Sequence, residues 1–157
     1  MKEWIVSYLD ENKEKIDKTY KELHLIPEVA FSEIETSYYL SRHLEEYGFS
    51  VKTRIGGTGV IGTLNSGIPG PCVGLRADMD ALLHEVNGKQ VAIHSCGHDA
   101  NCTTVLSAAE VLAKSKFLKK GQLKIIFQPA EETLSGAKAM IGSGEMDGID
   151  YLIGSHL

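Results

Sequence analysis

The chain has 157 residues and a formal net charge of -5, enough for one domain with a substantial core and too short for two full ones. That acidic balance, with no Lys/Arg cluster, argues against nucleic acid as a partner, and no apolar run reaches the length that crosses a bilayer. Three cysteines, Cys72, Cys96 and Cys102, do not suggest a paired disulfide framework, and the start Met1-Lys2-Glu3-Trp4-Ile5-Val6 turns polar too soon for a signal peptide; together these predict a cytoplasmic protein.

From Lys2 to Leu23 the apolar residues Ile5, Leu9, Ile16, Tyr20 and Leu23 recur near helical spacing. They predict one long amphipathic helix, or two broken near Asn12, ended by Pro27. His24 and Glu28 flank that proline and read as surface polar residues fixing a turn. Ser32-x-x-Glu35 has the form of a capping box opening a second helix, which Gly48 closes; Ile34, Leu40, Leu44 and Tyr47 form its apolar stripe. Phe49 to Ile55 and Val60 to Leu64 read as strands. The turn between them, Gly56-Gly57-Thr58-Gly59, lacks the spacing and lysine of a phosphate loop. Residues 66–71 are a plain loop.

Cys72 to Asp78 is a third strand, apolar until it ends on charge, with Cys72 as a buried strand residue. It places Asp78 and Asp80 at the sheet's edge, where α/β proteins put their chemistry. The segment His94-Ser95-Cys96-Gly97-His98-Asp99 comes next. If it is extended, Cys96 and His98 share a face, Gly97 permits a close approach, and Asp99 serves as N-cap for the next helix. That helix carries Cys102, Val105, Leu106, Ala109 and Leu112 on a core face, with a Glu110–Lys114 pair on the other. Leu123 to Gln128 reads as a strand buried on both faces, stopped by Pro129 and followed by Glu131-Glu132. Ser135 to Gly142 is a short helix, and Tyr151 to Leu157 a last strand with His156 at its end. Strands alternating with helices predict an α/β fold: a mixed, mostly parallel sheet with flanking helices.

Three strand ends therefore carry polar groups: Asp78 with Asp80, Glu131 with Glu132, and His156. In an open α/β sheet such ends gather in one crevice, and Cys, His, Glu and His suit zinc or another late transition metal. Adjacent glutamates after a strand point in different directions, so one can bind metal while the other handles a proton. The plainer alternative is a buried Cys, a hydrogen-bonded His and two loop glutamates.

These landmarks sit in six motifs: Glu22-Leu23-His24-x-x-Pro27-Glu28, Gly56-Gly57-Thr58-Gly59-Val60, Leu75-Arg76-Ala77-Asp78-Met79-Asp80-Ala81-Leu82, His94-x-Cys96-Gly97-His98-Asp99, Phe127-Gln128-Pro129-Ala130-Glu131-Glu132 and Gly154-x-His156. In this order they resemble the N-terminal part of the M20 metallopeptidase family, in its amidohydrolase branch of aminoacylases, hippurate hydrolases and auxin-conjugate hydrolases. The resemblance implies a zinc-peptidase-like catalytic domain with Cys96, His98, Glu132 and His156 as metal ligands. It implies Glu131 as the general base that deprotonates the attacking water and protonates the leaving amine, and Asp78 as the acid that orients the ligands from behind. The implied reaction is hydrolysis of an N-acyl amino acid or related amide with two divalent ions, zinc, manganese or cobalt.

Three features depart from the family's pattern. Asn101 stands where Gly-His-Asp-x-His normally ends in histidine; Ala81-Leu82-Leu83-His84 replaces Ala-Leu-Pro, with His84 expected to face solvent; and the sequence stops at Leu157. Family members continue through a lid or dimerisation domain and the rest of the catalytic domain, so residues 1–157 are expected to be its N-terminal portion. Two readings remain: an amidohydrolase of which this is the N-terminal half, or a catalytically inactive metal-binding fragment prone to self-association. A structural zinc protein would leave Glu131-Glu132 and Asp78 without purpose.

Overall fold

In a computed structural model, which describes residues 2–156, the N-terminal amphipathic stretch forms two helices, α1 (Lys2–Glu11) and α2 (Lys13–His24). The break falls at Asn12, whose Nδ2 donates back to the Tyr8 carbonyl at 2.8 Å, the local competition with helical geometry typical of asparagine. Helix α3 (Ile34–Glu46) starts as expected, but not through a capping box. The Glu28 carboxylate does the capping instead. Its Oε1 accepts from the Glu35 N–H at 3.1 Å, and its Oε2 accepts from the Thr36 N–H at 2.9 Å and the Thr36 hydroxyl at 2.8 Å. An ionised acceptor at a helix N-terminus satisfies orphan donors and complements the dipole. Leu40 and Leu44 are buried as expected, whereas Ile34 lies outside the stripe at 65% exposure.

The strands β1 (Ser50–Ile55), β2 (Gly59–Asn65) and β3 (Cys72–Asp78) come next. Residues 82–93, to which the sequence reading assigns no element, form a hairpin of β4 (Leu82–Val86) and β5 (Lys89–Ile93). Its turn, Asn87-Gly88, has φ of 52° and 74°, as the two-residue turn with both residues left-handed requires. Then come α4 (His98–Lys114), β6 (Gln122–Gln128), α5 (Gly136–Gly142) and β7 (Tyr151–Gly154). The main sheet has the order β1-β2-β6-β3-β7. Pairs β1–β2 and β2–β6 are antiparallel, β6–β3 and β3–β7 parallel. All strands but β2 thus share one direction, the mixed, mostly parallel sheet that the pattern predicts.

Strand β6 lies at the centre and shows why both its faces are apolar. Leu123, Ile125 and Phe127 enter the large core formed with Leu40, Leu44, Cys102, Val105, Leu106 and Ala109 of α3 and α4. Ile126 points the other way, into a smaller cluster with Ile55, Ile61 and Met140, as strand alternation dictates. Gly62 lets α3 lie close on the sheet, since a Cβ there would meet Leu44 Cδ1 at 2.8 Å. Glu110, expected on an exposed face, is only 5% exposed and accepts from Lys15 at 2.6 Å and Lys114 at 2.7 Å. Among the described residues no helix is long and apolar enough to cross a membrane.

Candidate metal centre

The register of the parallel strands creates the site. Asp78 pairs with Gln128 and Arg76 with Gly154, so β3, β6 and β7 run out at one edge of the sheet. The segments leaving these strands meet there and bring together Asp78 and Asp80, Glu131 and Glu132, and His156, two residues past β7.

Cys96 and His98 converge by a different route from the extended segment expected. Gly97, with φ of 85°, is the N-cap of α4 and turns the chain so that His98 becomes the first helical residue. Glycine takes this left-handed conformation without strain. Asp99 is therefore inside the first turn rather than at the cap. Its Oδ2 pairs with His24 Nδ1 at 2.6 Å, which makes His24 a link between the end of α2 and the start of α4 rather than a turn residue. His84 is partly exposed and hydrogen-bonds Ser95 Oγ at 2.7 Å, apart from the centre.

His98 sits at the focus. Its Nδ1 donates to the Asp80 carbonyl at 2.9 Å, so Nε2 is the nitrogen left to bind something. Around Nε2 lie Asp78 Oδ2 at 3.5 Å, Glu131 Oε2 at 3.7 Å and Glu132 Oε1 at 3.7 Å. His156 Nε2 is 3.4 Å from Asp78 Oδ2 and 3.9 Å from Glu131 Oε1. Donor atoms of Asp78, His98, Glu131 and His156 lie within 4.8 Å of one another, and so do those of Cys96, His98 and Glu132. The four expected ligands thus fall into two groups that share His98, with Cys96 and Glu132 on one side and His156 on the other.

Two observations test whether a cation fits. His98 Nε2 is buried and has no hydrogen-bond partner among the described residues, a costly state for a polar atom unless it meets a ligand. Burial would depress the His98 pKa, yet its hydrogen bond with Asp80 and the nearby Cys96 and Asp78 lift it to about 11. The negative groups around His98 that favour its charged form, Asp78 among them beside Nε2, also favour a cation at this centre. Cys96 agrees: burial opposes ionisation, but the neighbouring imidazoles of His94 and His98 bring its thiol down to about 7, towards the thiolate that binds metal. The donor set fits a divalent ion of the zinc class.

Further residues hold this arrangement. Asp80 accepts from the Glu131 N–H at 3.1 Å and the Glu132 N–H at 3.0 Å. Asp78 is fully buried and held by Arg76 Nη1 at 2.9 Å and Asn101 Nδ2 at 2.8 Å. Asn101 thereby supplies a neutral N–H donor to Asp78 and does not reach for a metal. Cys102 is buried against the Asp78 carbonyl and stays a core residue, as expected.

With this geometry, comparison with known proteins is informative. The profile of peptidase family M20/M25/M40 matches residues 74–157. Hippurate hydrolase of Campylobacter jejuni is 42% identical over 151 residues, covering 90% of this chain and 39% of that protein. N-acetyl-L-cysteine deacetylase of Bacillus subtilis is 37% identical over 143 residues, covering 87% of this chain and 34% of that protein. The crystal structure of the Bacillus subtilis YXEP protein, described as a dinuclear metal binding peptidase of the M20 family, superimposes with a TM-score of 0.81 at 31% identity, covering 90% of this chain and 42% of that one. The chain thus spans well under half the length of these relatives. The profile match covers more than half of the chain and includes every strand end that builds the centre; the chain belongs to peptidase family M20/M25/M40.

Proposed function

We propose that this chain carries the metal-binding and water-activating half of an amidohydrolase that cleaves N-acyl amino acids. The observation that supports this reading most directly is the convergence of Glu131, Glu132 and Asp78 on the orphaned Nε2 of His98. The similarity to hippurate hydrolase and N-acetyl-L-cysteine deacetylase supports this substrate class. Cys96, His98, Glu132 and His156 would hold the ions, and Asp78 would keep His98 and His156 oriented from its position between them. Bound divalent ions would supply charge to polarise the amide carbonyl and acidify the attacking water.

Glu131 is the residue proposed to move the proton. Its two oxygens lie towards His98 and His156, and its side chain is partly open to solvent. It takes the proton of the attacking water and delivers it to the amine as the C–N bond breaks, leaving a carboxylate and an amine. The backbone N–H of Glu131, tied to Asp80, keeps that carboxylate at the site.

Elemental analysis of dialysed protein tests the ligand assignment, with zinc, manganese or cobalt offered in turn. The wild type should retain metal and Cys96→Ser should lose most of it. Equal, substoichiometric metal in both would overturn the assignment.

A further inference from the structure

Among the described residues, Glu33 is the one fully buried carboxylate that the proposed chemistry does not use; it is 0% exposed. It sits just ahead of α3, and its Oε2 accepts from the Thr58 hydroxyl in the β1–β2 turn. Its Oε1 accepts from the Ala130 N–H at 2.9 Å. Ala130, itself 0% exposed, has a φ of 51°, a left-handed conformation that a non-glycine residue adopts only when its surroundings hold it there. The Ala130 carbonyl is fixed as well, by the N–H groups of Ser135 at 3.3 Å and Gly136 at 3.1 Å. Gly136 is needed for this close return, because a Cβ there would lie 1.6 Å from the Pro129 oxygen.

Three successive N–H groups, those of Ala130, Glu131 and Glu132, are therefore held by two buried carboxylates, Glu33 from one side and Asp80 from the other. We propose that Glu33 is a positioning residue: by holding Ala130 in its left-handed turn it aims Glu131 and Glu132 at the two sides of His98. The inference rests on the metal-site reading of Glu131 and Glu132. Removing Glu33 leaves the Ala130 N–H buried and unpaired. The turn then relaxes towards ordinary backbone angles and carries both glutamates with it.

The test uses this chain with four substitutions and two readouts. Glu33→Leu fills the space but accepts nothing. Glu33→Asp draws the carboxylate back by one methylene. Glu33→Gln can accept from Ala130 and donate to Thr58, whose hydroxyl works in either sense. Thr58→Val removes only the second bond. Amide hydrogen exchange at residues 130–132 is read in metal-free protein, and cobalt(II) affinity from the absorption of the thiolate-bound ion.

Glu33→Leu should speed exchange at all three amides at least about tenfold and weaken cobalt binding about 10–100-fold, the usual effect of losing a residue that orients ligands. Glu33→Gln should restore both, while Thr58→Val lowers thermal stability without moving either. A folded Glu33→Leu with unchanged exchange at Glu131 and Glu132 and wild-type cobalt affinity overturns the proposal. So does a Gln variant as impaired as the Leu one. Should Glu33→Leu fail to fold, Glu33→Asp decides by the same two readouts. A wild type that binds no cobalt would refute the metal-site reading instead, and the exchange data alone would then decide the role of Glu33.

Discussion

Glu131 and Glu132 are neighbours in sequence with different work proposed for them, and the geometry separates them. Both reach within 3.7 Å of His98 Nε2, yet Glu132 groups with Cys96 and Glu131 with Asp78 and His156. In a polypeptide of the relatives' full length, Glu131→Gln should retain metal while hydrolysis of an N-acyl amino acid falls about 10²–10⁴-fold, since an amide cannot carry the proton. Glu132→Gln should lose metal first and activity as a consequence. Metal content measured beside turnover separates the two, and exchanged phenotypes would show the roles reversed. Cys96, His98, Glu131, Glu132, Asp78 and His156 could all be picked out from the sequence, because each follows or ends a strand or opens a helix. Asp80 and Glu33 could not be assigned work in that way. Their task is to accept main-chain N–H groups far away in sequence, and no spacing records such a partner.

At the scale of elements, burial pattern and turn chemistry carried most of the information. The period-3.6 stripes and the apolar runs predicted the helices and the five strands of the main sheet, with β3 matching residue for residue. The hairpin was not read from the sequence: Asn87-Gly88 lies between two short runs, but those runs lie outside the main sheet and lack a clean alternation of burial. Helix capping was less legible: Ser32 and Glu35 have the capping-box spacing, but Glu28, folded back over the helix by the loop after Pro27, offers the stronger acceptor. Glu110 gives the clearest prediction at this scale. Burial raises its pKa, but hydrogen bonds from Lys114 and Lys15 outweigh that and hold it at about 2. A carboxylate whose pKa is depressed in the folded state adds stability above its unfolded pKa of about 4.3, and that stability is lost as pH falls through the folded value. Glu110→Gln should therefore cost about 1–2 kcal/mol at pH 7, between the worth of exposed and of buried ion pairs. Urea unfolding at pH 7 and at pH 3 should show the gap to wild type narrowing in acid. A gap that widens there would refute this account of how α4 is tied to α2.

For the whole molecule, what matters is the edge of the sheet that the metal centre shares. Strand β7 pairs only with β3 among the described residues, and its Tyr151, Leu152 and Ile153 are 64%, 54% and 60% exposed. His156, just beyond it, keeps 55% of its side chain exposed. An edge with unpaired backbone and apolar side chains is a template for another strand. The relatives are more than twice the length matched here. Two outcomes are expected of the 157-residue polypeptide by itself. It should self-associate through β7, seen as a concentration-dependent mass in light scattering, and Ile153→Lys should reduce that association by placing a charge on the edge. It should also hydrolyse N-acyl amino acids far more slowly than a polypeptide of the relatives' length, even with zinc, manganese or cobalt supplied. Two causes of such inactivity can be told apart, because Ile153→Lys relieves association without adding chain. If activity rises to that of the longer polypeptide once the edge is charged, association was blocking a complete site; if it stays low while metal still binds, the remaining chain supplies groups the reaction needs. A monodisperse polypeptide that turns over at the longer form's rate would show that residues 1–157 hold everything the chemistry requires.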